Sequence, residues 1–445
     1  ASPPAVAAPG TWMARINGYR AQHGLPPLTE DVSLSAVAHT WTQTMAATNN
    51  LAHNPLLAQQ VTLPWTRLAE NVGYGADEAS VFQAFVNSAP HRANLLGPFN
   101  GIGVGQVLSG GRLWTTHVFV ATTAALQPPA PPPPPPPPGS TNAYPGGFAG
   151  GIFVAAGRPG AAGAPRVITG ADTGGGPHVR VFAPDGSAMG GGFFAYPSGF
   201  VGGVRVAVYD VDPSSPGDEV IAAPGPGGGP NVKVFRGDAQ GVNAQPLYSF
   251  WAYDPRWAGG VYVACGDVSG DARAEIITGV GPGGGPNARV FTANGSLLSS
   301  FWAYDPRFVG GVIVAAGKVD AGTAKERVIT GVGPGGGPHV RTFLGNGTAL
   351  GGGFFGLDPS LPGGVFVSAG DVTGDGVDEI VVGAGAGAAR VRILNKDGAQ
   401  VRPDQIAFST GTERGARVAV GDLPSGRIVA GQGPGSLPLW RLLTP

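Results

Sequence analysis

The sequence predicts a multidomain chain, an α+β domain of helices packed on a small sheet followed by an all-β six-bladed propeller. Three observations predict it. Helical apolar stripes and one hairpin pattern come first, ten prolines broken only by Ala130 then fill Pro128 to Pro138, and a strand-rich unit recurs six times after them. The expected boundaries are a flexible N-terminal tail over 1–10, the α+β domain over 11–126, a polyproline linker over 127–140 and the propeller over 141–445.

At 445 residues the chain exceeds what one hydrophobic core usually serves. Its 78 glycines and 44 prolines would suggest low complexity if the sequence between them were not rich in Val, Ile, Phe and Trp. Many short strands with tight turns follow instead. With 27 Lys and Arg against 28 Asp and Glu, no net field draws the chain to nucleic acid or to an anionic membrane. Cys265 is the single cysteine, so a disulfide scaffold is excluded. No apolar run approaches the length of a bilayer span, and the start Ala1-Ser2-Pro3-Pro4-Ala5-Val6-Ala7-Ala8-Pro9 reads like what a signal peptidase leaves behind. A secreted or surface location is expected.

In the first domain, Met13, Ile16 and Tyr19 suggest a helix stopped near Gly24 and Pro26. Ser33 precedes Leu34, Val37, Ala38, Trp41 and Met45, a stripe that marks one buried face of an N-capped helix. Gly103 to Val107 and Leu113 to Val120 read as strands joined at Ser109-Gly110-Gly111. Three polar residues stand out in this frame: His53 before Asn54-Pro55, Glu70 before Asn71, and His91 in Ser88-Ala89-Pro90-His91-Arg92-Ala93-Asn94. Two imidazoles and a carboxylate can hold Zn²⁺ or another divalent metal with a water in the open position, which would make a hydrolase. They can equally form a hydrogen-bonded cluster without metal. The order and spacing of these residues, with Ile16-Asn17-Gly18-Tyr19-Arg20 and Gly24-Leu25-Pro26-Pro27-Leu28, resemble the bacterial branch of the CAP superfamily, also called the SCP domain. The resemblance implies an α-β-α sandwich whose cleft is lined by His53, Glu70 and His91 and holds divalent metal in some members, lipid or sterol in others. Where the family carries a second glutamate, this chain has Ser88.

After the prolines, first strands begin at Ile152, Val204, Val261, Val312, Val365 and Ala416, at intervals of 52, 57, 51, 53 and 51 residues. Each unit continues through a second strand, a loop such as Gly281-Pro282-Gly283-Gly284-Gly285-Pro286, a third strand and a closing segment such as Phe301-Trp302-Ala303-Tyr304-Asp305-Pro306. Four strands per unit is the content of one propeller blade. The sixth unit lacks its closing segment, and an orphan copy stands ahead of the first unit at 142–148. Pairing the two removes an open edge, so a closed ring is expected.

Two loops carry oxygens at positions 1, 3, 5 and 9, the alternation that wraps Ca²⁺: Asp267, Ser269, Asp271 and Glu275, and Asp371, Thr373, Asp375 and Glu379. Backbone carbonyls of Arg273 and Val377 could complete them. The loop with Asp210, Asp212 and Glu219 is one residue longer, while Arg158/Arg166 and Lys318/Arg327 bar a cation from theirs. With the repeat around them, these loops resemble the FG-GAP family of propeller repeats, whose calcium loops have this form. The functional expectation is non-catalytic: adhesion or extracellular assembly through a calcium-stabilised propeller that carries a CAP domain, with an extracellular protein, a polysaccharide or a second copy as partner. A metal-dependent hydrolase or lipid binding in the CAP cleft is the alternative.

Overall fold

A computed structural model describes residues 12–128, 138–144, 148–160, 163–239, 241, 244–408, 414–423 and 426–445. The expected tail over 1–10 and nearly all of the proline run lie outside the described residues. The chain divides into two units, one ending at Pro132 and the other beginning at Pro133.

In the first unit α1 (Trp12–Gln22) buries Trp12, Ile16 and Arg20. The Arg20 guanidinium is buried but not idle: it donates to the carbonyls of Pro26 (2.9 Å), Leu95 (2.8 Å) and Gly97 (2.9 Å), so one side chain ties the segment after α1 to the turn at 95–97. Helix α2 (Val32–Thr48) starts before Ser33, because Asp31 is the cap and accepts from the amides of Ser33 and Leu34. A carboxylate there satisfies two free N–H groups and also faces the positive end of the helix dipole. Its buried face is Leu34, Ala38, Thr42 and Met45.

Strands β1 (Thr29–Glu30), β2 (Arg67–Gly75), β3 (Gly101–Ser109) and β4 (Arg112–Ala121) form a sheet of order β1-β3-β4-β2, with β1 parallel to β3 and the other pairs antiparallel. Helix α2 lies directly on β3. A methyl added at Gly103 would stand 2.1 Å from the Leu34 carbonyl carbon, and one at Gly105 2.3 Å from that of Ala38, so only glycine permits the approach. A short helix, α3 (Leu57–Gln60), precedes β2, and on the other face of the sheet α1 packs with α4 (Glu78–Asn87) and α5 (Ala89–Leu95), where Ile16, Phe85, Leu95, Ile102 and Phe119 share one apolar cluster. Helices on both faces of a sheet give an α-β-α sandwich.

Among its described residues the second unit is built of strands. Six four-stranded antiparallel sheets follow one another, their first strands being Ile152–Gly157, Val204–Tyr209, Val261–Gly266, Val312–Gly317, Val365–Gly370 and Ala416–Val420. Each first strand packs on the next, and Ala416–Val420 packs back on Ile152–Gly157. All six line one central cavity of about 140 Å³. Its neck on one side is occupied by Phe153, Tyr262 and Phe366, whose ring centroids lie 6.0–6.4 Å apart. Arg205 lies over Tyr262 at 3.8 Å, and Arg417 lies over Phe366 at 4.5 Å while pairing with Asp172 at 2.9 Å.

The sixth sheet comprises Ala416–Val420, Ile428–Gln432, Leu439–Leu443 and a strand from ahead of the first sheet, Ser140–Asn142. Leu439 pairs with Asn142 and Arg441 with Ser140, so the closing strand overlaps the expected 142–148 only at Asn142. The chain leaves the sheet there because Tyr144 crosses to the first sheet, its hydroxyl 3.0 Å from the Thr169 carbonyl oxygen and 2.7 Å from that of His178. Residues 145–147 lie outside the described ones.

Candidate functional site

The sheet and two loops bring His53 and Glu70 together. Glu70 on β2 has its Oε2 2.7 Å from His53 Nδ1 and accepts the Asn54 amide at 3.0 Å. The pair straddles the surface, with the His53 side chain 65% exposed and that of Glu70 4%. Glu70 Oε1 is buried and meets no hydrogen-bond donor.

His91 on α5 is held through the backbone: Asn71 donates to its carbonyl at 3.0 Å, and Asn94 donates to Asn71 Oδ1 at 2.9 Å and to the Glu70 carbonyl at 3.1 Å. Its imidazole packs edge-on to Phe85 at 4.9 Å. Burial, and then the charge of His53, push its pKa below the ordinary histidine value. Asn71 and Asn94 stand close to Glu70 and His91 in the sequence, but their role in holding strand and helix together needs the backbone geometry. His117 on β4 lies deeper, buried against Trp12 at 4.4 Å and Phe85 at 5.2 Å, with neither ring nitrogen hydrogen-bonded. Burial, with a smaller push from His91, takes its pKa down to about 3, so it is a neutral core residue.

The regular loops of the second unit close on their own amides. Asp267 accepts from Gly270 (2.6 Å) and Ala272 (2.9 Å), Asp271 accepts from Arg273 (3.0 Å), and Glu275 accepts from Val268 (3.0 Å) and Ser269 (2.9 Å). Asp371, Asp375 and Glu379 repeat the pattern, with Thr373 also donating its hydroxyl to Glu379 at 3.1 Å. Ala272 adopts φ +66° where Gly376 in the sister loop has φ +85°. Burial first, and also the charge of the neighbouring Asp271 or Asp375, raise the pKa of Glu275 and Glu379. In the longer loop Asp212 accepts from Ser214 (3.1 Å) and Tyr248 (2.9 Å), Glu219 accepts from Val211 and Asp212, and Asp210 lines a separate cavity of about 480 Å³ with Asp371.

These donor sets have the chemistry that the expected ions require, while their carboxylates here accept from backbone amides. Oxygen-only loops suit Ca²⁺, and imidazole with carboxylate suits Zn²⁺. Among the described residues, however, no group of three or more His, Cys, Asp or Glu side chains stands close enough to hold a metal ion. The carboxylates serve as acceptors for backbone amides and for His53.

A helix-flanked sheet with a histidine-glutamate pair at its open edge defines the first unit as an α-β-α sandwich domain, set ahead of a large all-β region of four-stranded sheets. Residues 13–121 match the model of the CAP family, described as the cysteine-rich secretory protein family, so the chain carries an N-terminal CAP domain. The matched segment contains no cysteine. Among solved structures, an outer surface protein of Borrelia burgdorferi is similar at 17% identity over 25% of this chain and 90% of its own, with a TM-score of 0.24. An extracellular SCP-domain protein of Bacillus anthracis is similar at 28% identity over 24% of this chain and 38% of its own, with a TM-score of 0.22. A glucose dehydrogenase is similar at 15% identity over 69% of this chain and all of its own, with a TM-score of 0.43. No curated protein matches the chain. Among the described residues no helix is long and apolar enough to cross a membrane.

Proposed function

We propose that the chain is an extracellular, non-catalytic binding protein, acting in adhesion or extracellular assembly, in which a six-bladed propeller of FG-GAP-like repeats presents the binding face and a CAP domain precedes it. One observation carries the reading: the six first strands converge on a single cavity, and the last sheet is completed by a strand from ahead of the first. That closure leaves no free edge at the seam and repeats the same surface loops around one axis, an arrangement suited to a repetitive partner. The secretory family of the first unit supports the extracellular location.

Calcium enters this proposal through the loops Asp267–Glu275 and Asp371–Glu379, where buried glutamates beside a second carboxylate would gain from a cation. The ion would share the Asp267 or Asp371 carboxylate with the amides it now accepts. A second reading, a ligand held in the CAP cleft, is supported by Glu70 Oε1, a buried acceptor without a donor. No hydrolytic step is derived from it.

The test is sedimentation of the full chain with cell-envelope and extracellular-matrix fractions of the producing organism, run beside ester and peptide hydrolysis assays. Sedimentation unchanged in His53→Ala and His91→Ala is the expected result. Hydrolysis abolished by either substitution, with no sedimentation of the parent chain, would overturn the reading.

A further inference from the structure

The exposed aromatic rings of the all-β region fall on one repeated position. Trp251, Trp302 and Phe355 each end the outermost strand of successive sheets, paired in register with Asn231, Asn287 and His339. They are 53%, 52% and 50% exposed. The half exposure has a structural cause. A methyl added at Gly229 would stand 2.9 Å from Trp251 Cζ3, and one at Gly285 2.8 Å from Trp302 Cζ3, so each indole rests on the last glycine of its Gly-Pro-Gly-Gly-Gly-Pro loop. The outer benzo atoms of each indole meet the loop backbone, and about half of the side chain is left to water.

Leaving a large ring half in water forgoes burial energy, and here it recurs at one place in three neighbouring sheets. In the sheet before them the same position holds Phe194, and there the imidazole of His178 stacks on it at 4.6 Å and 8°. That seat therefore accepts a flat cover, which the two tryptophan positions lack; at Phe355 the imidazole of His339 meets the ring edge-on at 5.1 Å and 63° and does not stack on it. Beside the tryptophans, Arg256 donates to Asp254 and Arg307 to Asp305, both at 2.7 Å, with the guanidinium groups 90% and 91% exposed. The charges cancel locally while hydrogen-bonding atoms remain at the surface. An anionic polymer would call for unpaired cations, and a protein hot spot for a contiguous buried patch.

We infer that Trp251, Trp302 and Phe355 are successive platforms for the sugar rings of a neutral polysaccharide. The electron-rich ring face attracts the polarised C–H groups on one side of a pyranose, and the neighbouring Asn231, Asn287, Asp254 and Asp305 take its hydroxyls. Several weak seats in a row bind a polymer far more tightly than a single sugar. This rests on the reading of the all-β region as a binding face and names the class of its partner.

The test is native electrophoresis of the full chain in gels cast with barley β-glucan, galactomannan or arabinoxylan, with alginate as the anionic control. Retardation by at least one neutral polymer is expected, with a shift in tryptophan fluorescence when the same polymer is titrated in solution. Trp251→Ala with Trp302→Ala should weaken binding roughly tenfold or more, as loss of aromatic anchors does, and Trp251→Phe with Trp302→Phe should restore most of it. No retardation in any neutral polymer, equal retardation in alginate, or undiminished binding by a folded alanine variant would each overturn the inference. Should the alanine variant unfold, the fluorescence titration of the parent chain decides, since a retarding polymer that leaves the tryptophan signal unchanged does not sit on these rings. Envelope sedimentation that persists without polysaccharide retardation sinks this inference alone.

Discussion

The phenol oxygen of Tyr253, at the end of the second sheet, lies 3.0 Å from the carbonyl oxygen of Asn287 in the third, and it accepts a hydrogen bond from Thr278 Oγ1 at 3.0 Å. It is also 3.1 Å from the Thr278 carbonyl oxygen. Tyr196 and Tyr304 repeat the reach into the sheet that follows each of them. A chain segment that closes one sheet thus latches the next, and burial raises the tyrosine's pKa so that it stays a neutral donor.

Tyr253→Phe keeps the ring and deletes the latch. Because Thr278 would be left without its acceptor in a buried site, the expected loss is about 1–2 kcal/mol, read as a lower urea midpoint for the transition of the all-β unit. The tolerance of Leu357 and Phe408 at the matching places, both buried, sets the upper bound. An unchanged midpoint would show that the hydroxyl contributes nothing net.

Removing residues 140–144 should strip the last strand from the sixth sheet and expose the edge of Leu439–Leu443. Exposed strand edges pair with one another, so aggregation and a broader unfolding transition are expected. Light scattering beside the melt checks it, and a variant that melts like the parent chain would show that the seam carries no stability.

His117 gives the CAP domain an acid limit. Its folded pKa lies below the unfolded value, so the unfolded chain binds the extra proton first; stability is full above the unfolded pKa near ~6.5 and falls progressively as pH drops towards about 3. The lowered pKa of His91 acts in the same direction. Hydrogen exchange in peptides from 112–121, corrected for intrinsic rate, should therefore speed up below neutrality, and His117→Phe should flatten the response. Equal acid sensitivity in that variant would place the limit elsewhere.

Calcium is checked by melting the full chain with millimolar Ca²⁺ or with chelator. Binding to the folded form alone raises stability by about 2.7 kcal/mol at a hundredfold excess over Kd. Asp371→Ala should remove part of the rise and Lys318→Ala should leave it intact, since Asp378 already bonds the Lys318 amide at 2.7 Å in that place. A melt indifferent to both additions would leave Asp267, Asp371 and their partners as caps of turn amides.

The helix over 32–48, the hairpin at Gly110-Gly111 and the sixfold recurrence of strands were legible because each is written in local periodicity and turn chemistry, which need no distant partner. The identity of the cap was not, since Asp31 and Ser33 are both good caps and only the geometry of the entering chain chooses between them. At the candidate site, His53, Glu70 and His91 were readable as residue types in a known order, whereas the sequence could not say that Glu70 spends one oxygen on His53 and Asn54 and buries the other alone. The loop carboxylates were likewise readable as a spacing, but whether they face a common centre or their own amides depends on backbone angles at Gly270 and Ala272. The aromatic seats show the same division most plainly. The repeated Trp-Ala-Tyr-Asp-Pro segment and the glycine-rich loops are visible as letters, yet how closely Trp302 approaches Gly285 and how much of it stays open follows from two strands and a loop that are separated in sequence. Sequence determined two helices and the hairpin of the first unit and the recurrence of strands in the second; the tertiary structure decided the remaining elements of the first sheet, which polar atoms are satisfied and which surfaces stay open, because these depend on what the rest of the chain brings alongside.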